Sequence, residues 1–216
     1  MSNASLELGG DNWAAKDGNL LGYAVGDSSG KYVPREFTFT RGSNLAATRV
    51  AANGLIEKGR ENLLTQSNNF SSSDWMKFGS PTLTSGQSGY DGSNNAWLYE
   101  STTISHSMLQ LGSFNGVYTW SVYAKAGTAD GIRLRLSAST DTNIYVDLTD
   151  GSIITDQSGI TYNIESVGSG WYRVSITSNA SPHTDARIIV VDNVGASTTG
   201  TIYIQDAQLE QGLVAT

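Results

Sequence analysis

The 216-residue sequence contains no cysteine, which removes disulfides, thiolate metal sites and cysteine nucleophiles together. The redox compartment is left open by that absence. Proline is scarce too, at three residues, so few strands are interrupted. His106 and His183 are the only two histidines, and charged residues make up 15% of the chain. No apolar run approaches the roughly 20 residues of a membrane span, so no membrane insertion is expected. The N-terminus lacks a basic-then-apolar leader, and a protein of this kind that acts outside a cell is expected to leave by lysis or on a particle.

Positive charge is also in short supply. Residues 1–61 hold seven Lys and Arg against seven Asp and Glu, whereas residues 62–216 hold six against thirteen and carry the whole net charge of −7. A phosphate backbone calls for a clustered cationic surface, and with no basic run the sequence argues against a nucleic-acid partner. The shift in balance suggests two regions that meet near residue 61.

What the chain has in quantity is glycine, 24 residues, beside abundant Ser, Thr and Asn. Between these turn formers, short runs alternate apolar and polar residues with a period of two, the signature of half-buried strands. The clearest stretch is Tyr118–Asp150, which reads as strand, turn, strand, turn, strand. Tyr118, Trp120 and Val122 share one face of the first run, Ile132, Leu134 and Leu136 one face of the second, and Ile144, Val146 and Leu148 one face of the third. Further strands are predicted at 81–84, 96–100, 106–110, 162–166, 171–177, 187–191 and 201–206, with a short one at the start of Asn62–Trp75. Strands at this spacing with no helix between them predict an all-β fold, an antiparallel sandwich.

The first third reads differently. Residues 1–36 scatter Trp13, Leu20, Leu21 and Tyr23 among Gly, Asp, Asn and Ser, which predicts an extended arm with one or two short strands. Such a segment cannot bury its own aromatics, so it docks on its own domain or anchors to a partner. Residues 37–61 read as a β-hairpin or ribbon around Asn53-Gly54, a pair that tolerates positive φ in tight turns; a helix over Leu45–Val50 is the alternative.

Chemistry-bearing patterns are few. No Gly-x-Ser-x-Gly elbow stands between a strand and a helix, and Asp147, Asp150 and Asp156 read as turn and loop residues, not as an acid/base pair. The sequence therefore predicts no enzyme and no catalytic residue. Binding is the better fit. The polar sides of the strands present Tyr123, Arg133, Arg135, Tyr145 and Arg173, aromatic and planar cationic groups suited to sugars in a concave site. Two Arg at alternate positions of one strand suit an anionic group on the ligand.

Five segments in fixed order carry a resemblance: Asn62-Leu-Leu-Thr-Gln-Ser with Phe70 and Trp75, Tyr118-Thr-Trp-Ser-Val-Tyr-Ala-Lys-Ala-Gly, Asp147-Leu-Thr-Asp-Gly, Gly170-Trp-Tyr-Arg-Val-Ser, and Gln208-Leu-Glu-Gln-Gly. Together they resemble the jelly-roll domains, similar to carbohydrate-binding modules, of tailed-phage structural proteins of head-fibre, capsid-decoration or tail-fibre type. The preceding Phe39-Thr-Arg-Gly-Ser, Thr48-Arg and Gly54-Leu-Ile-Glu resemble the segment that leads into such domains. The resemblance implies a sandwich over residues 62–216, a virion location and other virion proteins as partners; it does not identify the ligand, for which the polar strand faces make a host-surface glycan the candidate. It also implies a structural calcium with Asp206 among its ligands, although the first loop offers Asn68, Asn69 and Ser71 in place of a carboxylate. The expected role is a non-enzymatic virion component anchored by Trp13, Leu20, Leu21 and Tyr23. The alternatives are a host-surface adhesin and, more remotely, a glycan-degrading enzyme. A symmetric homo-oligomer, a trimer above all, is the expected assembly.

Overall fold

In the computed structural model, the described residues are 61–213 except 105, 158–159 and 181, together with the backbone of five short strands before residue 61. Among them there are strands and turns but no helix.

Three of the early strands, β1 (Ala14–Lys16), β2 (Asn19–Ala24) and β3 (Val33–Glu36), form an antiparallel meander, with Ala15 opposite Leu20 and Tyr23 opposite Pro34. The segment expected to be extended, with one or two strands, is thus a three-stranded sheet of its own. Backbone donors and acceptors that would otherwise need water are paired within it. Trp13 lies outside the described residues, and Leu20, Leu21 and Tyr23 fall on β2. Next, β4 (Thr48–Val50) and β5 (Ile56–Lys58) pair as a hairpin, Arg49 opposite Glu57, and Asn53-Gly54 falls in the connection between them, outside the described residues.

From residue 61 the chain builds two six-stranded antiparallel sheets. Sheet I runs in the order β14 (Thr161–Gly168), β15 (Trp171–Ser178), β10 (Tyr118–Ala126), β17 (Gly200–Gln211), β8 (Ala96–Ser101), β7 (Thr82–Gln87). Sheet II runs β13 (Ile153–Asp156), β12 (Thr142–Asp147), β11 (Gly131–Ser137), β16 (His183–Val191), β9 (Ser107–Phe114), β6 (Met76–Phe78). Strands adjacent in sequence often lie in different sheets, as β10 and β11 do, which makes the two layers interlock through the chain.

The inner faces meet in one core. Trp120, Val122 and Ala124 of β10, Val174 and Ile176 of β15, and Ile202, Ile204 and Leu209 of β17 are fully buried against Ile132, Leu134 and Leu136 of β11, Ile144 and Val146 of β12, and Ile188 of β16. The period-two alternation that predicts the strands is what sends these side chains inward. Phe70 and Trp75 close one end, their ring centroids 5.0 Å apart, and the Trp75 indole donates to the Gln66 carbonyl at 3.0 Å. The expected strand at residue 62 is instead an irregular segment tied to β17: Leu63 N–H donates to Leu209 O, and the Asn62 amide donates to Ala207 O at 2.9 Å.

Two backbone irregularities accompany this packing. At Asp150-Gly151 the chain turns as predicted, and Gly151 sits at φ 77° with the Tyr172 ring so close that a Cβ would lie 2.5 Å from it. In β17 one extra residue is accommodated opposite β10, since Ser121 pairs with Gln208 but Tyr123 pairs with Gln205. Asp206 occupies this bulge at φ 47°, and the bulge leaves Ile204, Ala207 and Leu209 all buried in the core.

Candidate functional site

Because inner faces alternate with outer ones, each sheet presents a polar exterior. The five residues expected to share a ligand site are divided between the two exteriors. Tyr123 (β10) and Arg173 (β15) are directly opposite each other on sheet I, whereas Arg133, Arg135 (β11) and Tyr145 (β12) are on sheet II. With a buried core between the sheets, the two groups cannot contact one ligand face together.

On sheet I the exterior of β14, β15 and β10 forms a groove of about 310 Å³. Its floor is a ladder of small polar residues in cross-strand register: Thr161 opposite Thr177 and Thr177 opposite Thr119, then Asn163 opposite Ser175, then Glu165 opposite Arg173. Thr119 and Thr177 share a hydroxyl hydrogen bond of 2.8 Å, and Thr119 also donates to Gly212 O at 2.8 Å. Leu213, largely exposed, walls that end as the chain leaves β17. Ser121 Oγ is buried on the same exterior with no hydrogen-bond partner among the described residues. Thr161, Asn163 and Glu165 are exposed and offer hydroxyl, amide and carboxylate groups to whatever enters.

The other end of this exterior is closed by the loop 88–95 between β7 and β8. Tyr90 from that loop stacks on Tyr123 with ring centroids 3.7 Å apart, and the Arg173 guanidinium lies 5.4 Å from the Tyr123 ring centroid on a side chain that also donates to Gln208 Oε1 at 2.8 Å. Arg173 is thereby fixed by a π-face and an amide at the groove's end. Tyr123 is committed to two neighbours and is not a bare platform. Burial, together with Tyr123 and Asp206, raises the pKa of the Tyr90 hydroxyl above the ordinary tyrosine value.

Asp206 sits beneath this loop. Its carboxylate accepts hydrogen bonds from the Tyr90 hydroxyl at 3.2 Å and the Gln205 amide at 3.3 Å, its backbone N–H donates to Asn68 Oδ1 at 3.2 Å, and burial raises its pKa. The same Gln205 amide donates to Asp91 Oδ1 at 3.3 Å. Calcium takes six to eight oxygens, whereas here donors already point at both carboxylates, and no group of three or more His, Asp or Glu side chains gathers among the described residues. The residues present do not fit the ion that the sequence resemblance implies.

The exterior of sheet II carries three arginines, each with a partner. Arg133 donates to Asn143 Oδ1 at 3.1 and 2.9 Å and lies over the Tyr145 ring at 5.0 Å, Arg135 pairs with Asp141 at 2.7 Å, and Arg187 (β16) pairs with Asp185 at 3.2 Å and lies over Phe78 at 5.6 Å. Burial is the main cause that lowers the Arg133 pKa.

Four of the residues considered for catalysis have described side chains, and that of Asp156 lies outside the described residues. His106 is buried and its Nδ1 accepts from Thr102 N–H at 3.0 Å; His183 is fully buried, with Tyr118 edge-on at 5.8 Å. Asp147 accepts from Thr149 and Asp150 from Ser152 within their own turns. The groove residues Thr119, Thr161, Asn163, Glu165, Ser175 and Thr177 are absent from the sequence-predicted set. Their polar alternation was visible in the chain, and the turn signal Gly168-Ser169-Gly170 marks β14 and β15 as a hairpin that would bring them together.

No protein-family model matches the chain, and no curated protein matches it by sequence. Among solved structures, the chain is similar to part of the enzymatically active domain of tailspike protein 4 of bacteriophage CBA120, at 15% identity and a TM-score of 0.39; the match covers 68% of this chain and 21% of that one. It is also similar to part of Clostridium thermocellum endo-1,4-β-D-xylanase 10B, a structure of CBM22-1 and GH10 modules complexed with xylohexaose, at 12% identity and a TM-score of 0.41, covering 71% of this chain and 28% of that one. The chain thus spans less than a third of either structure.

Proposed function

We propose that the chain is a non-enzymatic component of a phage particle that displays its sandwich at the surface and takes a polysaccharide segment in the groove of sheet I. The observation that carries the binding part is the register of Thr161, Thr177 and Thr119 beside Asn163, Ser175 and Glu165 on one concave exterior. Hydroxyl, amide and carboxylate groups there match a polyhydroxylated ligand, and the fixed Arg173 guanidinium marks one end of its path. The virion part rests on the sequence motifs that resemble phage jelly-roll domains, with residues 1–36 as the segment that joins the particle. Buried histidines and carboxylates held in turns support a binding role without catalysis.

A glycan array of bacterial surface polysaccharides tests the binding part. Reproducible binding that disappears in Asn163→Ala and Thr177→Ala, with the fold intact by circular dichroism, is the expected outcome. A folded chain silent across the array overturns it. The second reading, a host-surface adhesin for which glycan binding is the main task, draws on the same groove. Particles that assemble without the chain but lose adsorption to the host favour that reading, whereas particles that fail to assemble favour a structural role.

A further inference from the structure

The groove of sheet I holds two charges that do not meet. Among the described residues, Glu165 and Arg173 are the two charged side chains that line it, and they are directly opposite each other on β14 and β15. Opposite charges in that register ordinarily pair across the strands. Here the Arg173 side chain runs the other way, across β10, where its guanidinium lies 5.4 Å from the Tyr123 ring centroid and donates to Gln208 Oε1 of β17 at 2.8 Å. Glu165 is exposed, and its carboxylate has no ion pair or hydrogen bond among the described residues.

The other cations of the sandwich do not supply the missing partner. Residues 62–216 contain six Lys and Arg. Arg133, Arg135 and Arg187 are on the exterior of sheet II, each engaged there. Lys77 of β6 donates to the Ser72 and Trp75 carbonyls at 2.9 Å, and Lys125 is opposite Trp171, one outward row further from the threonine ladder than Arg173. The two arginines of one strand that the sequence suggested for an anionic ligand, Arg133 and Arg135, therefore lie outside the groove. The groove presents a guanidinium that is already engaged and a carboxylate that is not. An ionised carboxylate only accepts hydrogen bonds, and its strongest partner is a donor that carries positive charge.

We propose that Glu165 sets the charge preference of the groove, which takes a polysaccharide segment carrying a free amino group, such as a deacetylated hexosamine, and disfavours one carrying a carboxylate. This rests on the groove being the glycan site proposed above and adds the class of sugar. A sugar ammonium brings N–H donors with positive charge to the Glu165 oxygens, while ring hydroxyls meet Thr161, Asn163 and Thr177. A uronate in the same place sets carboxylate against carboxylate, and to reach the Arg173 guanidinium it has to displace Gln208.

An array of oligosaccharides with matched backbones, each in neutral, amino and uronate forms, tests this on the full chain at about pH 6, below the pKa of an ordinary amine and above that of a carboxylate. The expected order of affinity is amino, then neutral, then uronate, with about fivefold between the first two, the ratio that a partly exposed ion pair gives. That ratio shrinks as salt rises to about 1 M, where the screening length is about 3 Å. Glu165→Gln, which keeps the size of the side chain, is expected to remove the advantage of the amino form, and Glu165→Lys to place the uronate first, both with native circular dichroism. Amino forms bound no better than neutral ones, or a Glu165→Gln variant that keeps the wild-type order, overturn the charge preference and leave the groove standing as a glycan site. Silence across the array, or binding that survives both Asn163→Ala and Thr177→Ala, overturns the groove itself and this inference with it.

Discussion

Tyr90 and Tyr123 lie face to face, their ring centroids 3.7 Å apart and their planes 4° from parallel. One comes from the loop after β7 and the other from the centre of sheet I, so the stack pins that loop over the sheet's exterior. The Tyr90 hydroxyl adds a hydrogen bond to Asp206. Aromatic pairs and hydrogen bonds each contribute about 1 kcal/mol. Tyr90→Ala is therefore expected to lower stability by about 1–3 kcal/mol in urea unfolding and to speed amide exchange in residues 88–95. Unchanged exchange there would show that the loop is held by other contacts.

Asp206 is held in a position that disfavours its charge. Burial raises its folded pKa above the ordinary 3.8, so its contribution favours the fold below that value and is lost as pH rises through the folded pKa. Asp206→Asn removes the charge, keeps an oxygen for Tyr90, and tolerates φ 47° better than most residues. The substitution is expected to raise the unfolding midpoint at pH 7, with the gain vanishing below about pH 4. A calcium-dependent midpoint in the wild type would contradict the reading of this site as a hydrogen-bonded cluster.

His183 has the opposite sign. Burial lowers its pKa from 6.5, partly offset by the backbone at Gly116 and Ser178, so the neutral ring favours the fold above 6.5 and that contribution is lost as pH falls through the folded value. Stability is expected to drop on acidification below about pH 6.5, and His183→Gln should flatten that part of the profile. An unchanged slope in the variant would show that another group sets the acid limb.

Every buried core side chain among the described residues falls between Leu64 and Leu209. Removal of residues 1–36 is expected to leave a folded sandwich that fails to join the particle, checked by thermal melting and by incorporation into particles grown with the truncated chain. Normal incorporation would contradict the anchoring role. In the core itself, Trp120→Ala should cost about 3–5 kcal/mol, because a fully buried indole leaves a cavity.

Much of the fold was legible because period-two alternation is a direct consequence of burial on one side of a strand. It located β7 to β12 and β14 to β17, and it put Trp120 in the core with Tyr118 and Val122. The strands it missed, β6 and β13, are short outer strands of sheet II, three and four residues long, where there is little room for an alternating pattern. The site was less legible. Alternation says which residues share a face of one strand, but not which sheet the strand joins. Tyr123 and Arg133 therefore looked like neighbours, although β10 and β11 belong to opposite layers. The Tyr90–Asp206 contact links residues 116 apart, with nothing local to announce it.

The central claim is that a polysaccharide enters the groove of sheet I. Backbone amide shifts, followed by NMR during titration with an array-positive glycan, test it most directly. The account predicts movement at Thr119, Asn163, Glu165, Ser175 and Thr177, with Arg133, Arg135 and Arg187 unmoved. Movement confined to the sheet II residues, or none at saturating glycan, would contradict it.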